Sequence, residues 1–464
     1  MAFTPTKYGK FRVKQTTFLF FLSIAWLWIL IGIPNQPFKG DGRNLILETK
    51  VQSEDLLQSV TLVEDLYRDN FIKAVSDSNW RTFDPAPIQE ICSRQKWKHD
   101  LVFRCGNVEG GWGNLHNMML FCIRFAMMSG GGLVVPGISQ RKLLNTSGSI
   151  NILHEYDRET QVDMDYIFDA DLFFGRMAEA CPQMRLFHGM RAIPGPRPVV
   201  ELPLLKLRKN LTVEYSMDKL KTHLKQNKTP AGSIKFMTLI AEYGPFDICL
   251  DGVDFVDNFG LLLPQRTQAS RVGAAVIFEL SEQHDLRLDP DFPISLNSYT
   301  GIHLRTAADA VKVKWVSYEY QAAQYSKLIN EYHPPVVYAA SGNLSSIDLF
   351  ADVVAPIPVV TKFTLLSGKN ELAELEAMTW DQQALVDSFV LERSAHFMGM
   401  NASSYSWKIA LSRRKFGSRG TCLGKNYTEY DERDHKEEIV FQDELSVIVG
   451  QNASFQFSEG TWPP

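Results

Sequence analysis

The chain has 464 residues, 45% of them apolar and 22% charged, enough for two ordinary domains or one large domain with a smaller partner. Its formal net charge is −5 and its basic residues form no long stripe, so no nucleic-acid partner is expected. Residues 1–15 carry Lys7, Lys10, Arg12 and Lys14 without an acid, and residues 16–33 run apolar, including Trp26 and Trp28. This predicts a cytoplasmic tail and a transmembrane signal-anchor helix in a lipid bilayer, with the body of the chain in the lumen. The span suits a thin early-secretory membrane, which points to the Golgi or endoplasmic reticulum and a single-pass type II arrangement. A signal peptide cleaved near Gly32 is the alternative, although no A-x-A-like site follows.

Seven sequons, at Asn145, Asn210, Asn227, Asn343, Asn401, Asn426 and Asn452, agree with a luminal body. The six cysteines permit up to three disulfides: Cys92 with Cys105 is the easiest local closure, and Cys122, on an apolar stretch, reads as a buried thiol. Their wide spacing, without a matching histidine cluster, argues against zinc.

Residues 34–95 read as a stem followed by a first packed helix, Leu57 to Val75. A first Rossmann-like domain is expected over 96–290. Its central stretch is Arg104 to Pro136, with glycines at 106, 110, 111 and 113, Glu109 and Asn114 beside them, then an apolar helix from Met118 to Met128. A turn at Gly130 to Gly132 and a strand from Leu133 complete the unit. A glycine-rich loop entering a helix offers unpaired N–H groups to an anion; a tight turn before a packing helix is the plainer alternative. Asp169 and Asp171 have the spacing of a metal-binding pair, but a helix cap with Leu172 and Phe173 packing inward is the better reading. Asp251, Asp254 and Asp257 fit either a cation or a solvated rim. Strand Phe236 to Ile240 and helix Ser270 to Leu280 complete this domain.

The loop His284 to Asn297 marks the boundary to a second, nucleotide-sugar-binding domain over 291–420. Strand Tyr299 to Leu304 ends at His303 and Arg305, and a cation at the carboxyl end of such a strand reaches a ligand in the crevice. A helix from Trp315 to Ile329, a strand from Pro335 to Ala340 and an amphipathic helix from Gln382 to Leu391 carrying Asp387 follow. Residues Asn401 to Ser406 place hydroxyls ahead of a helix from Trp407 to Arg414, a second place for phosphate oxygens. Residues 421–464 read as an acidic extension without chemistry.

Three stretches together carry a family resemblance. G-G-W-G-N at Gly110 to Asn114, H-L-R at His303 to Arg305 and F-M-G-M-N-A-S-S-Y-S at Phe397 to Ser406 resemble, in order and spacing, the motifs of the GDP-fucose-dependent protein O-fucosyltransferases. The resemblance implies a GT-B-like α/β fold, two Rossmann-type domains facing a central cleft, and inverting transfer of L-fucose from GDP-fucose to a protein or glycan hydroxyl. It implies no obligatory catalytic metal and no cofactor beyond the donor substrate. Carried over, Gly111, Gly113 and Asn114 line the donor pocket, Arg305 meets the diphosphate, and His303 holds the donor side of the cleft. Asp387, Ser403, Ser404 and Tyr405 shape the nucleotide pocket, and Glu109 is the nearest candidate base. Ser341, Gly342 and Asn343 stand where relatives commonly show an acid, Arg305 is followed by Thr306 and Ala307, and His116 and Asn117 also depart from plant-like members. These departures leave open a transferase using another GDP-sugar, such as GDP-mannose, and a noncatalytic luminal carbohydrate-binding protein that kept the cleft.

Overall fold

The computed structural model describes residues 64–77, 82–106, 108–145, 152–193, 198–208, 212–241, 247–307, 310, 317–417, 439–450 and 462. The expected tail, signal-anchor and most of the stem, residues 1–63, lie outside these. Among the described residues no helix is long and apolar enough to cross a membrane. A compact unit begins at Tyr67 and holds both sheets.

In chain order, helices α1 (64–77) and α2 (Ala86–Ser93) precede β1 (Leu101–Cys105), α3 (Trp112–Ser129) and β2 (Gly132–Val134). A hairpin of β3 (Ile138–Asn145) and β4 (Ile152–Val162) follows, then α4 (Ala170–Ala180), β5 (Leu186–Phe187), β6 (Val199–Leu207), α5 (Val213–Gln226) and β7 (Ile234–Ala241). Strands β5, β2, β1, β7 and β6 lie side by side in that order, all parallel. β1 is almost wholly buried, as a strand covered on both faces must be. The chain leaves β1 toward β2 and β5 and later fills the other side. The gap between β1 and β7 is therefore a switch point, where loops at the carboxyl ends diverge and a crevice opens.

Helices α6 (Val253–Phe259) and α7 (Thr267–Gln283) lead to β8 (Thr300–Leu304), α8 (Tyr318–Tyr332), β9 (Val337–Ser341), α9 (Leu344–Val354) and β10 (Val359–Val360). Next come α10 (Lys362–Leu365), α11 (Asn370–Ala377), α12 (Trp380–Arg393), β11 (His396–Met400), α13 (Ser404–Arg414), β12 (Ile439–Gln442) and β13 (Ser446–Val449). The second sheet runs β10, β9, β8, β11, β13, β12, parallel except for antiparallel β12. Its switch point falls between β8 and β11, so the loops bearing Arg305 and Ser403 flank one crevice. The stretch expected to be a mere extension thus supplies two strands of this sheet, β13 lying parallel to β11. Helix α7, expected to complete the first domain, packs chiefly on α12; a Cβ on its Gly273 would come 2.7 Å from the Phe389 ring.

Buried polar groups fasten these layers. Arg413 is wholly buried and donates to the carbonyls of Leu391, Glu392, Ala395 and Leu445 and to Ser446 Oγ, tying the end of α12 to the starts of β11 and β13. Burial pulls its guanidinium down to about 10, still charged at neutral pH. Arg68 on α1 grips Glu371 with two bonds of 3.0 and 2.9 Å and reaches Glu279 on α7 at 3.2 Å.

The disulfides differ from expectation. Cys92 joins Cys181 and Cys105 joins Cys122, so Cys122 is no free thiol. α3 folds back on β1, which brings Cys105 at the strand end to the middle of the helix, and proximity in the fold outweighs proximity in sequence. Cys249 is disulfide-bonded as well.

Candidate active site

The Gly-rich loop does not end where the apolar run begins. α3 starts at Trp112, inside the glycine cluster, with Gly111 as an N-cap that makes no side-chain bond. Gly110 holds φ +121°, a conformation few other residues adopt, and turns the chain into the helix. α13 likewise starts early, at Ser404, with the Ser403 hydroxyl accepting from Ser406 N. The two N-termini touch: a Cβ on Gly113 would lie 2.8 Å from the carbonyl carbon and oxygen of Ser404 and 2.9 Å from Tyr405 N. Two helix dipoles therefore present their positive ends at one place.

That place is a wall of a cavity of about 510 Å³, within the range of roughly 300–1,000 Å³ typical of ligand pockets. Gly111, Gly113 and Asn114 line it from α3, His303 and Arg305 from the end of β8, Asp387 from α12, and Ser403, Ser404 and Tyr405 from α13. The structure thus brings together nine of the ten sequence candidates. Glu109 is not among the lining residues, although it stands two residues before Gly111 and is partly exposed.

His303 is nearly buried, with Nδ1 2.8 Å from Ser406 Oγ and its ring 4.7 Å from that of Tyr405. The backbone of Arg305 is fixed on both sides by Gln321, whose Oε1 accepts from Arg305 N at 2.8 Å while its Nε2 donates to Arg305 O. Tyr405 donates to Ala384 O, and its phenol is pushed well above 10 by burial and by Asp387 and Glu392. Trp112, also on the wall, has an indole Nε1–H without a partner among the described residues.

The sequence did not reveal a buried ion pair in the same lining. Lys362 Nζ donates to Asp387 Oδ2 at 2.5 Å, and Tyr338 Oη donates to Oδ1 at 2.7 Å. Burial and Asp387 raise the Tyr338 phenol well above 10, so it stays a donor. Trp380, Ala384 and Asp387 recur along one face of α12, and Trp380 packs against Gly342, where a Cβ would meet its ring at 2.8 Å.

Other candidates serve structure. Asp169 caps α4, accepting from Leu172 N at 3.0 Å and from Thr267 Oγ1 at 2.6 Å, while Phe173 is buried and Leu172 is exposed. Asp251 pairs with Arg124. Among the described residues no group of three or more metal-binding side chains comes together. Asn401 is buried, its side chain accepting from Trp407 Nε1, which leaves no room for a glycan.

No family model matches the chain, and no curated protein matches it. Among solved structures it is similar in fold to fucosyltransferases: POFUT1 in complex with GDP-fucose, at 12% identity and a TM-score of 0.38, over 80% of this chain and 100% of that one. It is also similar to an Arabidopsis thaliana FUT1 mutant in complex with GDP, at 12% identity and 0.36, over 74% and 75% of the two chains. A third is the fucosyltransferase NodZ from Bradyrhizobium, at 14% and 0.34, over 68% and 92%.

Proposed function

We propose that this cavity binds GDP-fucose and that the protein transfers L-fucose from it, with inversion, to a hydroxyl of a protein or glycan. The observation that carries the reading is the convergence of two helix N-termini, α3 and α13, with Arg305 on one cavity. Free N–H groups, aligned dipoles and a guanidinium are what a diphosphate needs. Cleavage of the sugar–phosphate bond leaves charge on that diphosphate, and donors fixed in advance stabilise it in the transition state. Trp380 and the Lys362–Asp387 pair, in the same lining, offer a flat apolar face and a polar edge suited to a base.

In this reading the acceptor approaches over the Gly110–Gly111 turn, and Glu109 takes its proton. The disulfides favour an oxidising compartment and so agree with a luminal, membrane-anchored placement in the Golgi or endoplasmic reticulum. The test is GDP-fucose turnover by the full chain over a panel of acceptor peptides and glycans, with the product linkage read by NMR. Transfer with inverted anomeric configuration, lost in Glu109→Gln with GDP binding kept, supports the proposal. Donor bound without transfer or hydrolysis favours the noncatalytic carbohydrate-binding alternative, for which the position of Glu109 outside the cavity lining speaks.

A further inference from the structure

Trp462 touches no part of the cavity surface, yet its backbone joins the two helices that build the anion-facing wall. Its N–H donates to Asn117 Oδ1 on α3 at 2.8 Å, and its carbonyl accepts from Lys408 Nζ on α13 at 3.0 Å. Both partners lie about one helical turn behind the first turns that meet at Gly113 and Ser404. Lys408 also bonds His116 Nδ1 on α3, whose Nε2 lies 3.1 Å from Gly260 O; with the proton on Nε2, Nδ1 accepts from the ammonium. Asn117, His116 and Lys408 are fully buried. The Trp462 ring is held among Phe259, Phe121 and Phe255, with centroids 4.8, 5.7 and 6.1 Å away.

We propose that Trp462 is a positioning residue for the donor site: its ring is the anchor, and its peptide groups strap α3 to α13 at the spacing that brings their N-termini together. The inference rests on the donor-binding reading of the cavity. A buried ammonium holds its place only while its acceptors are in reach, because burying it unsatisfied is costly. Removing the Trp462 carbonyl from Lys408 therefore loosens α13 against α3, and the N–H groups that face the ligand lose their common focus. Nothing in the local sequence of either helix shows this dependence, since the third partner comes from far along the chain.

Hydrogen exchange and GDP titration of the full chain test it with Trp462→Ala, Trp462→Phe and Asn117→Ala, and Leu220→Ala on α5 as a control. Trp462→Ala is expected to speed exchange in the first two turns of α3 and α13 and to weaken GDP binding about ten- to a hundredfold, the effect of one lost charge-assisted bond. Trp462→Phe restores both, Asn117→Ala shows the same pattern more weakly, and Leu220→Ala, at a comparable loss of Tm, keeps GDP affinity. Should Trp462→Ala fail to fold, Asn117→Ala decides. Unchanged exchange and affinity in a folded Asn117→Ala or Trp462→Ala protein, or an equal loss of affinity in Leu220→Ala, would overturn the proposal. If the wild type binds no GDP, the donor reading falls, and the exchange pattern alone decides whether Trp462 is a strap.

Discussion

Replacing Gly113 by alanine probes the junction on which the candidate site depends. The added Cβ would sit 2.8 Å from the Ser404 carbonyl carbon and oxygen and 2.9 Å from Tyr405 N, about 0.6 Å inside the 3.4 Å at which contact becomes ordinary. All three atoms are backbone, in the first turn of a helix whose next turn is fixed by buried Lys408 and Trp407, so no side chain can swing aside. Overpacking of this kind costs about 1–3 kcal/mol, and relief comes only by parting α3 from α13. Gly113→Ala should therefore lose about 1–3 kcal/mol in urea unfolding, and GDP binding should weaken about tenfold for each 1.4 kcal/mol that falls on the bound state. Gly175→Ala is the control. That glycine lies exposed within α4 with nothing within 4 Å of an added Cβ, and the change should be neutral or stabilising by up to about 1 kcal/mol. A Gly113→Ala protein with wild-type stability and wild-type GDP affinity would refute the claim that the two N-termini meet there.

Lys362→Met leaves the Asp387 carboxylate buried with Tyr338 as its remaining neutral donor, and should cost about 3–5 kcal/mol in chemical denaturation; Lys362→Met combined with Asp387→Leu should be less damaging than Lys362→Met alone, and the reverse order would speak against an ion pair. Burial opposes ionisation of Glu371, but its bonds to Arg68 outweigh this and hold its carboxyl below the ordinary 4.5. Its contribution is thus complete above the unfolded value and is lost as pH falls through the lower folded value, so between about pH 5 and 3 wild-type stability should decline more steeply than that of Glu371→Gln. Equal slopes would contradict that sign. The Cys92–Cys181 bond closes a separation of 89 residues, and the paired change to serine should cost about 2–5 kcal/mol, measured under oxidising conditions.

Much of the site is legible because local chemistry writes it. Arg305 follows a short, wholly buried strand, Gly110 to Asn114 combine turn and helix-start signals, and Ser403 carries an N-cap hydroxyl ahead of α13. What escapes the sequence depends on distant partners. α3 begins at Trp112 rather than at Met118 because Gly113, a poor helix former by propensity, is held by its contact with Ser404. α13 starts at Ser404 on the other side of the same contact. Lys362 sits at the first turn of a short helix, and only Asp387 and Tyr338, brought from α12 and β9, make it part of the pocket. Cys122 has its apolar surroundings as expected, but its bond to Cys105 follows from the strand–helix return rather than from spacing. Strand β13 escapes because its four residues follow an acidic stretch, while its partner β11 lies some fifty residues upstream.

In the proposed function, one cavity, focused by two helix N-termini and Arg305, holds a guanosine diphosphate sugar. Calorimetric titration of the full chain with GDP, GDP-fucose and GDP-mannose, beside Arg305→Ala, tests it most directly. GDP binding is expected, with GDP-fucose preferred over GDP-mannose, and at least about a tenfold loss in a folded Arg305→Ala protein, the scale of one charge-assisted bond. No binding of any of the three by the folded wild type, or full affinity retained without Arg305, would contradict it.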